Sequence, residues 1–274
     1  MLALALGLVS SVSWGIADFL GGVASRRAAA LTVVALSQGV GLLLALVVVA
    51  ATRTGPPPAE DMLLGVAAGI SGVIGLVAFY RGMAVGSISI IAPISALGAL
   101  VPLAVDLVAG RTPGTLALVG MVVALAGASL AARAPGPASR RGIGLALVAA
   151  VGFGGFFALL GEAASESALW GLTAARLGSV PLALAAILVV GPGVALAGRT
   201  IAMVCAAGVL DASANMLFAL GSQRGLVSVV AVVGSLYPVM TVVLAGSLLD
   251  ERLSRLQAAG AVLALGGVVL IAAG

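Results

Sequence analysis

The sequence predicts an all-α membrane protein whose ten transmembrane helices form two inverted five-helix repeats. Three observations predict it. The 274 residues are 62% hydrophobic and only 8% charged, with a mean hydropathy of +1.30, whereas soluble domains are about 45–50% apolar and roughly 25% charged. Apolar runs of about twenty residues, the length that crosses roughly 30 Å of hydrocarbon, recur ten times. The stretch "FYRGMAVGSIS" at 79–89 also returns in outline as "FALGSQRGLVS" at 218–228, an offset of 218 − 79 = 139 residues.

Charges, prolines and glycines divide the runs at 2–22, 29–51, 62–80, 84–109, 113–133, 142–161, 168–190, 199–219, 226–248 and 252–272. The first lacks the basic start of a signal peptide and runs on past residue 20, so it reads as a membrane helix. "SRR" at 25–27 and "RTGPPPAED" at 53–61 are polar connectors that proline and glycine keep from continuing as helix. "RTPG" at 111–114 supplies Thr112 as a helix cap and Pro113 as a first helical residue. "RAPGPASRRG" at 133–142 is the longest polar break near mid-chain and marks the boundary between halves, 1–133 and 142–274. Barrel strands would need short alternating segments, which these runs are not.

The offset extends beyond one loop. It pairs Phe79 with Phe218, Gly69 with Gly208, Gly15 with Gly154 and Trp14 with Phe153, while Gly120 and Gly127 match Gly260 and Gly267 one residue later. This is an internal duplication. Five helices per unit is an odd number, so the second copy enters the membrane the opposite way up. Inverted repeats place a substrate site near the midplane between the two units.

All 13 basic residues are arginines, and the net charge is +4. Nine lie in the connections that follow odd-numbered helices (Arg26, Arg27, Arg81, Arg133, Arg140, Arg141, Arg199, Arg252 and Arg255), against Arg53, Arg111 and Arg224 on the other side. By the positive-inside rule the first set faces the cytoplasm and both termini face out. No basic cluster is long enough to line a nucleic-acid groove. The single cysteine, Cys205, and the lack of histidine exclude disulfide frameworks, Cys/His metal sites and histidine-based catalysis. There is no Walker motif either. The expectation is a chain that is no enzyme and needs no cofactor.

Ionisable groups at membrane depth cost at least about 2.5–3.5 kcal/mol, which makes them functional candidates. Asp18 shares a helical face with Ser11, Trp14, Gly15 and Gly22; it either hydrates near the interface or faces a cavity. Asp211 is the deepest acid, with Asn215 and Phe218 following at i+4 and i+7. Its repeat partner is Gly72, so the site is asymmetric where the fold is not. A hydrogen bond to a neighbouring helix is one role for Asp211, and a proton or substrate-amine site the other. Arg176 either snorkels to Glu162 or Glu166, or turns inward as counter-ion to Asp211 or clamp for a substrate carboxylate. Asp106, close to Arg111, reads as an interfacial charge.

Among uncharged residues, Trp14, Gln38 and Tyr237 read as cavity-facing, whereas Tyr80 and Trp170 fit an aromatic belt at helix ends. Tyr237 precedes Pro238, and a proline-freed carbonyl can hold ligand or water. The small residues of "GMVVALAG" at 120–127 and "GAVLALGG" at 260–267 allow close helix approach, within the chain or between two protomers.

The stretch "SLYPVMTVVLAGSLLDERLSRLQAAGAVLALGGVVLIAAG", 235–274, resembles the EamA-type drug/metabolite transporters: Pro238, then an L-x-E-R-L turn from Leu249 to Leu253 that contains Glu251, then a glycine-rich closing helix. The first-half counterpart "GALVPLAVDLVAGRTPGTLALVGMVVALAGASL" keeps a proline, Pro102, three residues later than the offset would place it, and has Thr112 where Glu251 would fall. The resemblance implies a multi-pass secondary carrier in a prokaryotic cell membrane, monomer or homodimer. It also implies proton-coupled export of a small polar or amphipathic cargo, amino-acid-like or drug-like. Pro102, Pro238 and Glu251 are its gating or structural residues; Asp18, Arg176, Asp211, Asn215, Trp14, Tyr237 and Gln38 are the candidate cavity. The resemblance places both termini in the cytoplasm, opposite to the arginine count. The alternatives are sugar or nucleoside uptake on the same fold, an intramembrane enzyme, or a lipid-handling scaffold.

Overall fold

Inside a bilayer no water is available to backbone N–H and C=O groups, so a spanning segment must pair them internally. The structure, a computed structural model, describes residues 1–85, 88–131, 140–191, 193, 196–240, 244 and 254–274, and all regular structure among them is helical. The helices are α1 (Leu2–Ser25), α2 (Ala30–Thr52), α3 (Ala59–Val85), α4 (Ile88–Ala96), α5 (Leu100–Val108), α6 (Thr115–Ala131), α7 (Arg140–Ala163), α8 (Ala168–Val190), α9 (Gly198–Ser222), α10 (Val227–Gly234) and α11 (Arg255–Ala273). Seven are long and apolar enough to cross a membrane. Shorter apolar helices at Ile94–Val108, Thr115–Ala131 and Val227–Met240 stand where the fourth, fifth and ninth spans are expected. Leu188, Val189, Val151 and Val262 are each more than two-thirds exposed on the outer surface. Water would penalise such a surface, and acyl chains solvate it.

Two of the predicted runs are interrupted. The run 84–109 is divided by a 3-10 turn at Leu97–Ala99, so that Pro102 falls in the first turn of α5. The run 226–248 breaks at Ser235–Leu236, after α10, and resumes as helix at 237–240 around Pro238. A proline is best accommodated in the first turn of a helix, and each break sits just upstream of one, whereas Pro181 is carried inside α8 without a break. The breaks correspond, since 97 + 139 = 236. Glu251 and the Leu249–Leu253 turn lie outside the described residues, as does most of the 133–142 connector.

Helix pairings come in couples that exchange when the halves are swapped. α3 packs on α7 as α1 packs on α9, α3 on α8 as α2 on α9, and α4 on α7 as α1 on α10; α2 with α8 and α6 with α11 are their own counterparts. Glycine makes the tightest approaches possible. A Cβ on Gly69 of α3 would fall 1.8 Å from the Ala175 carbonyl oxygen of α8, and one on its mate Gly208 of α9 would fall 2.5 Å from that of Ser37 of α2. The small-residue faces of α6 and α11 are spent on each other: Gly127 lies against Ala264, and Gly267 against Ala124.

Hydrogen bonds gather the connections at two ends. Trp170 Nε1 donates to the Thr54 carbonyl (3.1 Å), Arg111 Nη2 to Glu162 (2.7 Å) and Gln223 Nε2 to the Ala164 carbonyl (2.6 Å). At the other end Thr32 Oγ1 donates to the Gly193 carbonyl (3.2 Å). Arg111 also bonds Asp106 (3.0 Å), and these two carboxylates push its pKa up, Glu162 contributing most.

Candidate functional site

Trp14 and Asp18 lie one helical turn apart on α1, Gln38 is near the middle of α2, Arg176 two turns into α8, and Asp211 and Asn215 one turn apart on α9. The fold brings all of these, with Tyr237, to one cavity of about 50 Å³. A water needs roughly 10–15 Å³ by this measure, so the space holds a few. A small-molecule site is usually about 300 Å³ or more, and cargo would require the helices to part.

The centre of the site is an ion pair. Arg176 Nη2 lies 2.7 Å from Asp211 Oδ2, with Arg176 only 3% exposed. Gln38 braces both partners: its Nε2 donates to Asp211 Oδ2 (3.1 Å), and its Oε1 accepts from Arg176 Nη1 and from Ser179 Oγ (3.0 Å). This amide orientation is the one the charges require, with NH2 toward the carboxylate and oxygen toward the guanidinium. Trp14 Nε1 completes the ring on Asp211 Oδ1 at 3.2 Å. The network therefore ties α1 and α2 of the first half to α8 and α9 of the second. Arg176 turns inward to Asp211; Glu162 pairs with Arg111 instead.

Aromatic rings form the walls. Trp14 and Phe157 have centroids 5.4 Å apart, Phe157 and Phe218 are 5.1 Å apart, and Phe79 meets Tyr237 edge-on at 5.9 Å. Phe153, Phe156 and Phe157 on α7 also line the space. In the cavity lining, Arg176 Nε and Asn215 Oδ1 are buried without a hydrogen-bond partner among the described residues.

Several residues had gone unread in the sequence. Ser179 holds Gln38, and Gly41 leaves room for the arginine, since a Cβ there would lie 2.9 Å from Arg176 Nε. The spacing of Phe153, Phe156 and Phe157 at i, i+3 and i+4 on the face of Trp14's repeat mate was a legible signal. Tyr80 is a correction. It is no belt residue but 2% exposed, with its ring against Gly21, one turn from Asp18. The end of α3 is covered by α1, α4 and α7, and a residue count cannot show that cover. Trp170 does sit at a helix end, bonded to Thr54. Asp106 is 1% exposed and caps α10, so it is structural rather than merely interfacial. Pro102 is buried in α5, away from the cavity lining.

A model of the EamA-like transporter family matches the chain twice, over residues 1–133 and 140–273. No curated protein matches it. Among solved structures 26 chains match. One, a crystal structure of a protein, covers 98% of this chain and 96% of its own, with a TM-score of 0.81 at 18% identity. That likeness is one of fold.

Proposed function

The chain belongs to the EamA-like transporter family, and on that premise we propose that it is a proton-coupled secondary carrier exporting a small polar or amphipathic metabolite. As a family member it is a multi-pass membrane transporter of the drug/metabolite transporter superfamily, acting on a small molecule within a lipid bilayer. The proposal adds the coupling ion, the direction, the prokaryotic cell membrane and the route.

In this reading the repeats are 1–133 and 142–274, inverted, and they rock about the cavity between them. The observation that carries it is the pair of buried Arg176 with half-buried Asp211, tied to the first half through Gln38 and Trp14. Parting α1 and α2 from α8 and α9 must loosen this ring. Two of the three hydrogen bonds that hold the Asp211 carboxylate in its charged form come from Gln38 and Trp14 of the first half, so the movement strips them away and opens the carboxylate to a proton. Proton uptake is thereby tied to movement. The break ahead of Pro238 gives the second half a helix that can flex beside Tyr237 at the cavity, and the break ahead of Pro102 gives the first half a corresponding one away from the lining.

The test is transport by purified protein in liposomes under an imposed pH gradient, screened against amino acids, amines, sugars and nucleosides. The expected result is gradient-driven accumulation of an amino-acid-like or amphipathic compound. Flux indifferent to the pH gradient would remove the coupling assignment. Preference for sugars or nucleosides would replace the cargo class.

A further inference from the structure

We propose that Asp18 is the cargo-binding carboxylate of this cavity, and that the cargo carries a positively charged nitrogen on an apolar or aromatic body. This rests on the reading of the chain as a carrier and names the class of its substrate. Asp18 is 7% exposed and lines the cavity. It has no hydrogen bond or ion pair among the described residues, whereas Asp211 accepts three hydrogen bonds. The lining holds two carboxylates, Asp18 and Asp211, and one guanidinium, Arg176. That guanidinium is engaged with Asp211 and Gln38. With both acids ionised, the lining carries one negative charge more than its guanidinium balances, and that charge falls on Asp18.

A buried carboxylate without a partner is costly unless a cation or a proton joins it. The groups facing it from the neighbouring helices supply no cation: Tyr80 on α3, Tyr237 beside Pro238 and Asp211 on α9 are neutral or acidic, and Arg176 on α8 is taken. The rest of the lining is aromatic, with Trp14, Phe153, Phe156 and Phe157 presenting rings. Ring faces attract cations and pack apolar bodies, so carboxylate and rings together favour an ammonium with a hydrophobic substituent. An anionic cargo would meet an arginine already neutralised and a free carboxylate beside it.

The experiment is calorimetric titration of the purified wild-type protein with three probes that share a benzyl group and differ in charge: benzyltrimethylammonium, benzyl alcohol and phenylacetate. The quaternary cation has no proton to donate, so its binding reports charge and rings alone. The wild type is expected to bind it tighter than either other probe by roughly tenfold or more. Asp18→Asn should erase that preference, Asp18→Glu keep it, and the remote, exposed Glu166→Gln leave it unchanged. Equal binding of all three probes, binding of none, preference for phenylacetate, or an unaltered preference in Asp18→Asn would each overturn the assignment. If Asp18→Asn loses its melting transition, the probe order in the wild type and in Asp18→Glu decides. Binding needs no gradient, so a protein that prefers the cation yet moves nothing in liposomes would sink the carrier reading and not this one.

Discussion

The carboxylate of Asp106, in the first half of the chain, accepts a 3.0 Å hydrogen bond from the backbone N–H of Ser228, in the second. Residue 228 is the second of α10, whose N-cap, Leu226, offers no side-chain acceptor. The first N–H groups of a helix have no partner within it, so a distant acid supplies one and Arg111 balances its charge. Asp106→Ala should lower stability by about 1–3 kcal/mol. Asp106→Asn, which keeps an acceptor, should lose less. Thermal unfolding in detergent reads both, and equal losses would mean that charge, not capping, is what Asp106 contributes.

The Arg176–Asp211 pair should show strong non-additivity. Arg176→Gln leaves Asp211 and Asp18 with no cation between them and should cost about 3–5 kcal/mol. Adding Asp211→Asn should recover much of that, because two neutral amides can share the site. Unfolding midpoints of the two single variants and the double variant measure the coupling. Simple addition of the single effects would contradict the buried-pair account.

Asp211→Asn alone should abolish accumulation driven by a pH gradient while leaving counterflow exchange of cargo. The amide preserves the shape of the carboxylate and can no longer take up a proton. Full gradient-driven transport by this variant would transfer the coupling role to Asp18.

Pro238→Ala should leave membrane insertion intact and slow interconversion of the two access states. Restoring the N–H and removing the ring let the helix run through Ser235–Leu236 and stiffen beside the cavity. Counterflow rates compare the variant with the wild type. An unchanged rate would make the break a passive feature of the fold.

Gly69→Ala should destabilise by about 1–3 kcal/mol, because its methyl group meets backbone of α8 that cannot swing aside. Gly39→Ala, also helical but with nothing near its would-be Cβ, should be neutral or stabilise by about 0.5–1 kcal/mol. Unfolding of the two variants side by side separates close approach from helix propensity.

The positions of the helices were legible because they are properties of local composition. The prolines did not by themselves announce the interrupted helices, since breaks fall just upstream of Pro102 and Pro238 while Pro181 lies inside an unbroken α8. The roles of glycine were half legible. The small-residue faces at 120–127 and 260–267 promised close packing, and the structure spends that packing inside the chain, between α6 and α11. Tyr80 misled for the same reason: a residue near a helix end is exposed or buried according to what covers it, and three other helices do.

By itself the sequence determined that this chain enters a membrane as helices, that it is written twice, and that few charges lie deep within it. Hydropathy, period and self-similarity are read along the chain and need no third dimension. Only the tertiary structure decided which of those charges meet. Arg176 finds Asp211 from 35 residues away and Trp14 finds it from 197, while Asp18, a single turn beyond Trp14, has no partner among the described residues. Such meetings depend on how far each helix is rotated about its axis and how closely its backbone approaches the next. Contacts such as Gly69 on Ala175 set both, and they exist only once the helices are packed.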